Sequence, residues 1–293
     1  MKKRIRQLKT GARIGVVAPS GVYDAKRLAE SVQLLRQWGF ECVMGANLGK
    51  THRYLAGTDA QRLQDLQWAL SSPDLQAVWA ARGGYGLNRI LGGLDLANCD
   101  QRPVIGFSDV TSLHVARYQA GGNCGVHGPV LHSLADHPSA ASRTHLRELL
   151  QGKHAFSLKG EVWRSGAASG PVVGGNLCML TSLCGGPWQL RAEGCILLIE
   201  DVGEAPYRVD RMLQQLQSSG CLAGVVGVAV GTFSGCSAPK DSDWGLKDLI
   251  CEALDVPVIG GLPVGHGPEN RAFIYGAPAS FEGDSLVFEP EAE

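Results

Sequence analysis

The feature that most constrains this chain is the alternation, through its first half, of short apolar runs with longer stretches of helical periodicity. Arg13 to Ala18, Glu41 to Met44, Leu75 to Ala81 and Val104 to Phe107 read as strands. Between them, Leu28, Val32 and Leu35, and then Leu63, Leu66 and Leu70, recur at the spacing that lines one helix face. Gly39 closes the first helix and Pro73 lies just past the second. This order predicts a parallel sheet with helices on both faces.

From His127 to about Gly170 the pattern weakens, with only His145 to Leu150 reading as helical. A second unit opens near Pro171. Leu177 to Leu183 reads as a helix, and Cys195 to Ile199 as a strand. The face of Val209, Met212, Leu213 and Leu216 predicts another helix. Gly224 to Val230 is a buried parallel-type strand, and Leu246, Leu249, Ile250 and Ala253 mark the helix before the strand Val256 to Ile259. Ala272 to Tyr275 and Ser285 to Phe288 are expected to form a closing hairpin through Glu282-Gly283-Asp284. The fold class is therefore α/β: a flavodoxin- or Rossmann-like parallel-sheet domain, then a smaller mixed β/α domain. The expected divisions are 1–135, a linker over 136–170, and 171–293.

Composition removes several function classes. A formal charge of −1 gives no electrostatic case for nucleic acid or an anionic membrane. Lys2, Lys3, Arg4 and Arg6 are followed by no apolar core of a signal peptide, and no run is long enough to span a bilayer. The nine cysteines, Cys99 and Cys124 among them, are scattered and never spaced C-x-x-C, as in a protein with reduced thiols. The eight histidines show no metal-ligand spacing. Neither a P-loop nor G-x-G-x-x-G is present, so neither metal nor cofactor is expected.

Three segments put a reactive side chain directly beyond an apolar strand, the edge where open parallel sheets bind ligands. Ser108 follows Val104-Ile-Gly-Phe107, at a turn into a helix, where a serine nucleophile would be held clear of the backbone. Ser108 or Asp109 as a plain helix cap is the alternative. Glu200 is the first polar residue after Cys195 to Ile199, and His266 lies in the Gly- and Pro-rich loop after Val256 to Ile259. Imidazole has the pKa to take a serine proton, and a carboxylate fixes its tautomer. The segment Asp201 to Arg211 reads as a structural ion-pair cluster; Glu200 and Asp201 simply starting the next loop, or pairing with Arg208 or Arg211, is the alternative to a catalytic Glu200. His114 reads as structural, and His127 as a residue that could line a cleft. Backbone N–H groups of Asp109 and of Gly83 or Gly84 are the candidate oxyanion donors, with a tight turn or phosphate cradle as the other reading of Arg82-Gly-Gly-Tyr-Gly86.

Val17-Ala-Pro-Ser-Gly21, Arg82-Gly-Gly-Tyr-Gly86, Ile105-Gly-Phe-Ser-Asp-Val-Thr111 and Gly174-Gly-Asn-Leu177 are followed by Ile199-Glu-Asp-Val-Gly-Glu204, Tyr207-Arg-Val-Asp-Arg211 and Gly265-His-Gly267. In this order they resemble the LD-carboxypeptidase family of serine peptidases, the muramoyltetrapeptide carboxypeptidase type. The resemblance runs from about Ile14 to Tyr275. It implies Ser108 as nucleophile, Glu200 as charge-relay residue and His266 as base, in a cytoplasmic, metal-free enzyme that is commonly a homodimer. The implied substrate is a murein tetrapeptide, which loses its terminal D-alanine in peptidoglycan recycling. Phe107 stands where a tyrosine is common. Arg82, Tyr85 and Arg271 are candidate substrate contacts, with Arg82, Arg271 or helix N-terminal amides holding the terminal carboxylate. The rivals are the microcin-immunity branch, which cleaves aminoacyl- or peptidyl-nucleotide toxins, and a non-catalytic small-ligand-binding protein.

Overall fold

The computed structural model describes residues 5–96, 102–121 and 125–289; Cys99, Cys124, Lys2, Lys3 and Arg4 lie outside them. The first half contains β1 (Arg13–Val17), α1 (Ala25–Gln37), β2 (Glu41–Met44), α2 (Asp59–Ser71), β3 (Ala77–Ala80) and β4 (Val104–Gly106). Then come α3 (Thr111–Gln119), β5 (Val126–His127), α4 (Leu131–Leu134) and α5 (Ala140–Leu150). The second half contains β6 (Phe156–Lys159), β7 (Glu161–Arg164), β8 (Ser169–Asn176), α6 (Leu177–Ser182), β9 (Ile196–Val202) and α7 (Pro206–Ser218). It closes with β10 (Gly227–Ser234), α8 (Leu246–Ala253), β11 (Val258–Gly260), β12 (Phe273–Ile274), β13 (Pro278–Glu282) and β14 (Ser285–Phe288).

Two sheets organise the molecule. In the first, the order is β12-β5-β4-β3-β1-β2, with β1 to β5 parallel and β12 antiparallel to β5. Strand order reverses between β1 and β3, so their C-terminal ends open a crevice. The Gly21 amide donates to the Gly83 carbonyl across it, at 3.0 Å. In the second, the order is β6-β14-β13-β8-β9-β10-β11-β7, and β8 to β11 are mutually parallel.

Local chemistry explains the elements. Asp24 caps α1, accepting from the Arg27 amide, and Thr58 with Gln61 forms a capping box on α2. Leu28, Val32 and Leu35 of α1 and Leu66 and Leu70 of α2 are buried, as their spacing predicts. Ile196 to Ile199 are fully covered in the middle of the second sheet. Burying each such side chain stabilises by roughly 1.5–3 kcal/mol.

The stretch 136–170 does more than join the two halves. It contains α5, and β6 and β7, the outermost strands of the second sheet. Edge strands that are only half covered carry mixed side chains and lack a buried-strand signature. The closing hairpin also differs from expectation: β13 pairs with β14, while Phe273 and Ile274 cross to the first sheet and pair with His127 and Val126. Asn88 lies in a short 3-10 turn, Leu87–Arg89, and Leu91 in a second, Leu91–Gly93.

Candidate active site

Ser108 begins a one-turn 3-10 segment, Ser108–Val110, that runs from β4 into α3. Its φ is +62°, in the left-handed region that an L side chain enters at a cost of about 1–3 kcal/mol. The Val110 amide closes the turn on the Phe107 carbonyl at 3.2 Å. Gly106 allows it, because a Cβ there would meet the Val110 side chain at 2.9 Å. The turn therefore lifts the hydroxyl off the sheet edge. Asp109 does not cap α3: it is fully buried, and its Oδ2 accepts from the Leu87 amide at 2.9 Å. Burial raises its pKa, and the Ser20 hydroxyl and the Leu87 amide lower it in part.

Gly83 lies directly against the serine, since a Cβ on it would be 2.8 Å from Ser108 Cβ and 3.0 Å from Oγ. Gly84, at φ +100°, instead lies beside Gly21. The Arg82 guanidinium donates to the Val22 carbonyl, across the crevice. Tyr85 is largely exposed, its ring centroid 6.0 Å from that of Tyr54. Arg271 faces elsewhere: it donates to Glu269 at 3.2 Å and lines a groove with His145, Glu148 and Lys153.

Glu200 sits near the C-terminal end of β9, fully buried. A buried carboxylate is costly unless hydrogen-bonded donors meet it. One oxygen, Oε2, meets His266 Nδ1 at 2.7 Å and the His266 amide at 3.2 Å. Gly265 makes this approach possible: at φ +109°, a Cβ on it would be 2.4 Å from Oε2. The His266 loop is held on its other side by the Ser234 hydroxyl, which donates to the His266 carbonyl at 2.8 Å. Asn270 Oδ1 accepts from the Gly265 amide at 3.1 Å. Sequence reasoning missed Asn270; a polar residue shortly after the Gly-His-Gly loop was its only signal. Burial lowers the His266 pKa, but the hydrogen bond and charge of Glu200, with the charge of Asp201, leave it above its ordinary value.

Phe107 connects the two halves of the site. It precedes Ser108, and its ring centroid is 4.6 Å from that of His266. Among the described residues no hydrogen bond joins the Ser108 hydroxyl to His266. Catalytic hydrogen bonds are commonly long before substrate seats. A cavity of about 230 Å³ opens here, lined by Phe107, Val202, His266, His137 and Asn270.

Several other residues take roles different from those expected. Asp201 is buried and holds Asn176 Nδ2 and the Cys178 amide, each at 2.9 Å, so it anchors the start of α6 and does not pair with arginine. Arg208 bridges to Glu204 at 3.5 Å, and Arg211 stacks over Tyr207. His127 lines no open cleft; it is enclosed between the rings of Phe107 and Phe273, and burial holds it well below its ordinary pKa. His114 is buried with Nε2 at 2.9 Å from the Gly106 carbonyl, as a structural residue should be. Among the described residues no group of three His, Cys, Asp or Glu is placed to hold a metal, and no helix is long and apolar enough to cross a membrane.

A serine in a strained strand-to-helix turn and an imidazole bound to a buried carboxylate, each beyond a strand of a largely parallel sheet, are the parts that a serine hydrolase uses. The comparisons make this specific. Residues 14–128 match the LD-carboxypeptidase N-terminal domain and residues 169–281 the LD-carboxypeptidase C-terminal domain. The chain belongs to the LD-carboxypeptidase family and is a serine carboxypeptidase. It is 35% identical to the murein tetrapeptide carboxypeptidase of Pseudomonas aeruginosa, over 94% of each chain. The structure of muramoyltetrapeptide carboxypeptidase from Oxalobacter formigenes superposes with a TM-score of 0.86 at 28% identity, covering 96% of this chain and 100% of that one. The microcin C7 self-immunity protein of Escherichia coli is 26% identical, over 85% of this chain and 83% of its own.

Proposed function

We propose that this protein removes the C-terminal D-alanine from murein tetrapeptides through Ser108, His266 and Glu200. The 2.7 Å contact between His266 Nδ1 and Glu200 Oε2 carries the reading, because it leaves Nε2 as the ring nitrogen free to take a proton. His266 accepts the Ser108 proton as Oγ bonds to the last peptide carbonyl carbon. The amides of Asp109 and Gly83 stabilise the oxyanion. The imidazolium gives its proton to the leaving amine as the C–N bond breaks. Water, deprotonated by the same imidazole, then releases the acyl group and restores the serine.

The identity to the Pseudomonas aeruginosa enzyme supports the substrate class. In this reading residues 1–135 supply the nucleophile and residues 171–293 the acid and base, joined through 136–170, with substrate between them. Arg82 and Tyr85 reach substrate from the nucleophile side, while Arg271 lies in a separate groove. The reading carries a cytoplasmic location and a homodimeric state, which fractionation and analytical ultracentrifugation test. Mass spectrometry of a murein tetrapeptide incubated with the protein should show loss of one alanine. Cleavage of an aminoacyl-sulfamoyl adenosine with the tetrapeptide left intact would move the chain to the microcin-immunity branch.

A further inference from the structure

A buried arginine outside the catalytic set binds a peptide unit beside the nucleophile turn. Arg62, on α2, is 1% exposed. Its Nη1 donates to the Pro19 carbonyl, beyond β1, and to the Gly86 carbonyl, beyond β3, the latter at 2.9 Å. Its Nη2 donates to Asp59 Oδ1 at 2.5 Å. Asp59 is half-exposed and is gripped in turn by Arg89, at 2.9 Å from Nε and 2.6 Å from Nη2.

The Gly86–Leu87 peptide unit is thus held at both poles. Arg62 binds its carbonyl, and the carboxylate of Asp109, next to Ser108, binds its amide. The contact is close enough that a Cβ on Gly86 would fall 2.7 Å from Arg62 Nη1. The same loop carries Gly83 against Ser108. A guanidinium has a planar fork that can serve several carbonyls and a carboxylate at once; an ammonium has no such fixed fork.

The geometry points to Arg62 as a positioning residue: anchored by Asp59, it sets the Gly83–Leu87 loop, and through Asp109 the Ser108 turn, in the conformation that aligns nucleophile and oxyanion donors. This rests on the serine mechanism above. A loose loop misplaces reacting groups without removing any of them, so the loss falls mainly on kcat, with a smaller rise in KM because the loop also carries Tyr85; misplacement of about 1 Å can cost about 100-fold.

Two substitutions in the full chain test it. Asp59→Ala removes the half-exposed anchor and leaves Arg62 its two carbonyl partners; Arg62→Lys keeps the charge and loses the fork. Amide hydrogen exchange is measured over 83–89 and 107–111, with β9 and β10 as the internal reference, beside steady-state hydrolysis of a murein tetrapeptide. Asp59→Ala should raise exchange at the Leu87 amide several-fold and lower kcat by about 10-fold, with KM within about two-fold. Arg62→Lys should lower kcat further, by about 100-fold. Unchanged exchange and kcat in folded Asp59→Ala, or a loss entirely in KM, overturns the assignment. Should Arg62→Lys fail to fold, Asp59→Ala decides alone. Absence of tetrapeptide cleavage by the unmodified protein counts against the proposed function, while the exchange measurement still decides whether the brace exists.

Discussion

Glu200 Oε2 accepts from both nitrogens that His266 turns toward it, the ring Nδ1 at 2.7 Å and the main-chain amide at 3.2 Å. One oxygen therefore sets the tautomer of the imidazole and the course of the loop that carries it. Glu200→Gln keeps the shape and loses the charge, and its amide can present a donor to Nδ1. The expected result is a fall in kcat of about 10⁴, following the triad precedent, with the fold retained by circular dichroism.

The titration of His266 gives activity and stability opposite slopes. Burial depresses its pKa, but the bond and charge of Glu200 prevail, and the folded value is raised above 6.5. As a general base it must be neutral, so kcat/KM should rise with pH through a midpoint above 6.5. The raised folded value means that the stability His266 contributes is fully present below its unfolded pKa and is lost as pH climbs through the folded one. Urea unfolding of the wild-type protein and of His266→Ala across this window measures the second slope. In Glu200→Gln the activity midpoint should move down.

Gly83→Ala tests the approach of the loop to the nucleophile. The added methyl would sit 2.8 Å from Ser108 Cβ and 3.0 Å from Oγ, so one of the two segments must move. Overpacking of this kind costs about 1–3 kcal/mol of stability. The displacement should reduce kcat by about 100-fold. Thermal unfolding and steady-state kinetics on the same preparation separate the two effects.

Gly265→Ala should be the more damaging to folding. The position requires φ +109°, and the methyl would fall 2.4 Å from Glu200 Oε2. Strain of about 1–3 kcal/mol adds to the collision, and the carboxylate must give up a hydrogen bond while still buried. A drop in the denaturant midpoint together with loss of activity is expected.

Much of this arrangement was legible in residue order. β1, β3 and β4 are buried throughout or nearly so and read as unbroken apolar runs, and each reactive residue follows such a run or is its first polar member. The rest depended on partners distant in sequence. β6 and β7 are edge strands with exposed positions, so nothing in their composition separates them from loop. The two residues of β12 gain their identity only by pairing with β5, far back along the chain. Arg62 looks like any solvated charge on an amphipathic helix, because burial of an arginine is decided by the carbonyls that meet it. Asp201, expected to join a charge cluster, instead follows the alternation of β9 and turns to α6.

The most direct test is tetrapeptide hydrolysis by Ser108→Ala beside the unmodified protein, with both shown to be folded. The account predicts release of D-alanine by the unmodified protein and a loss of about 10⁴-fold or more in the variant. Turnover by folded Ser108→Ala near the unmodified rate would contradict it.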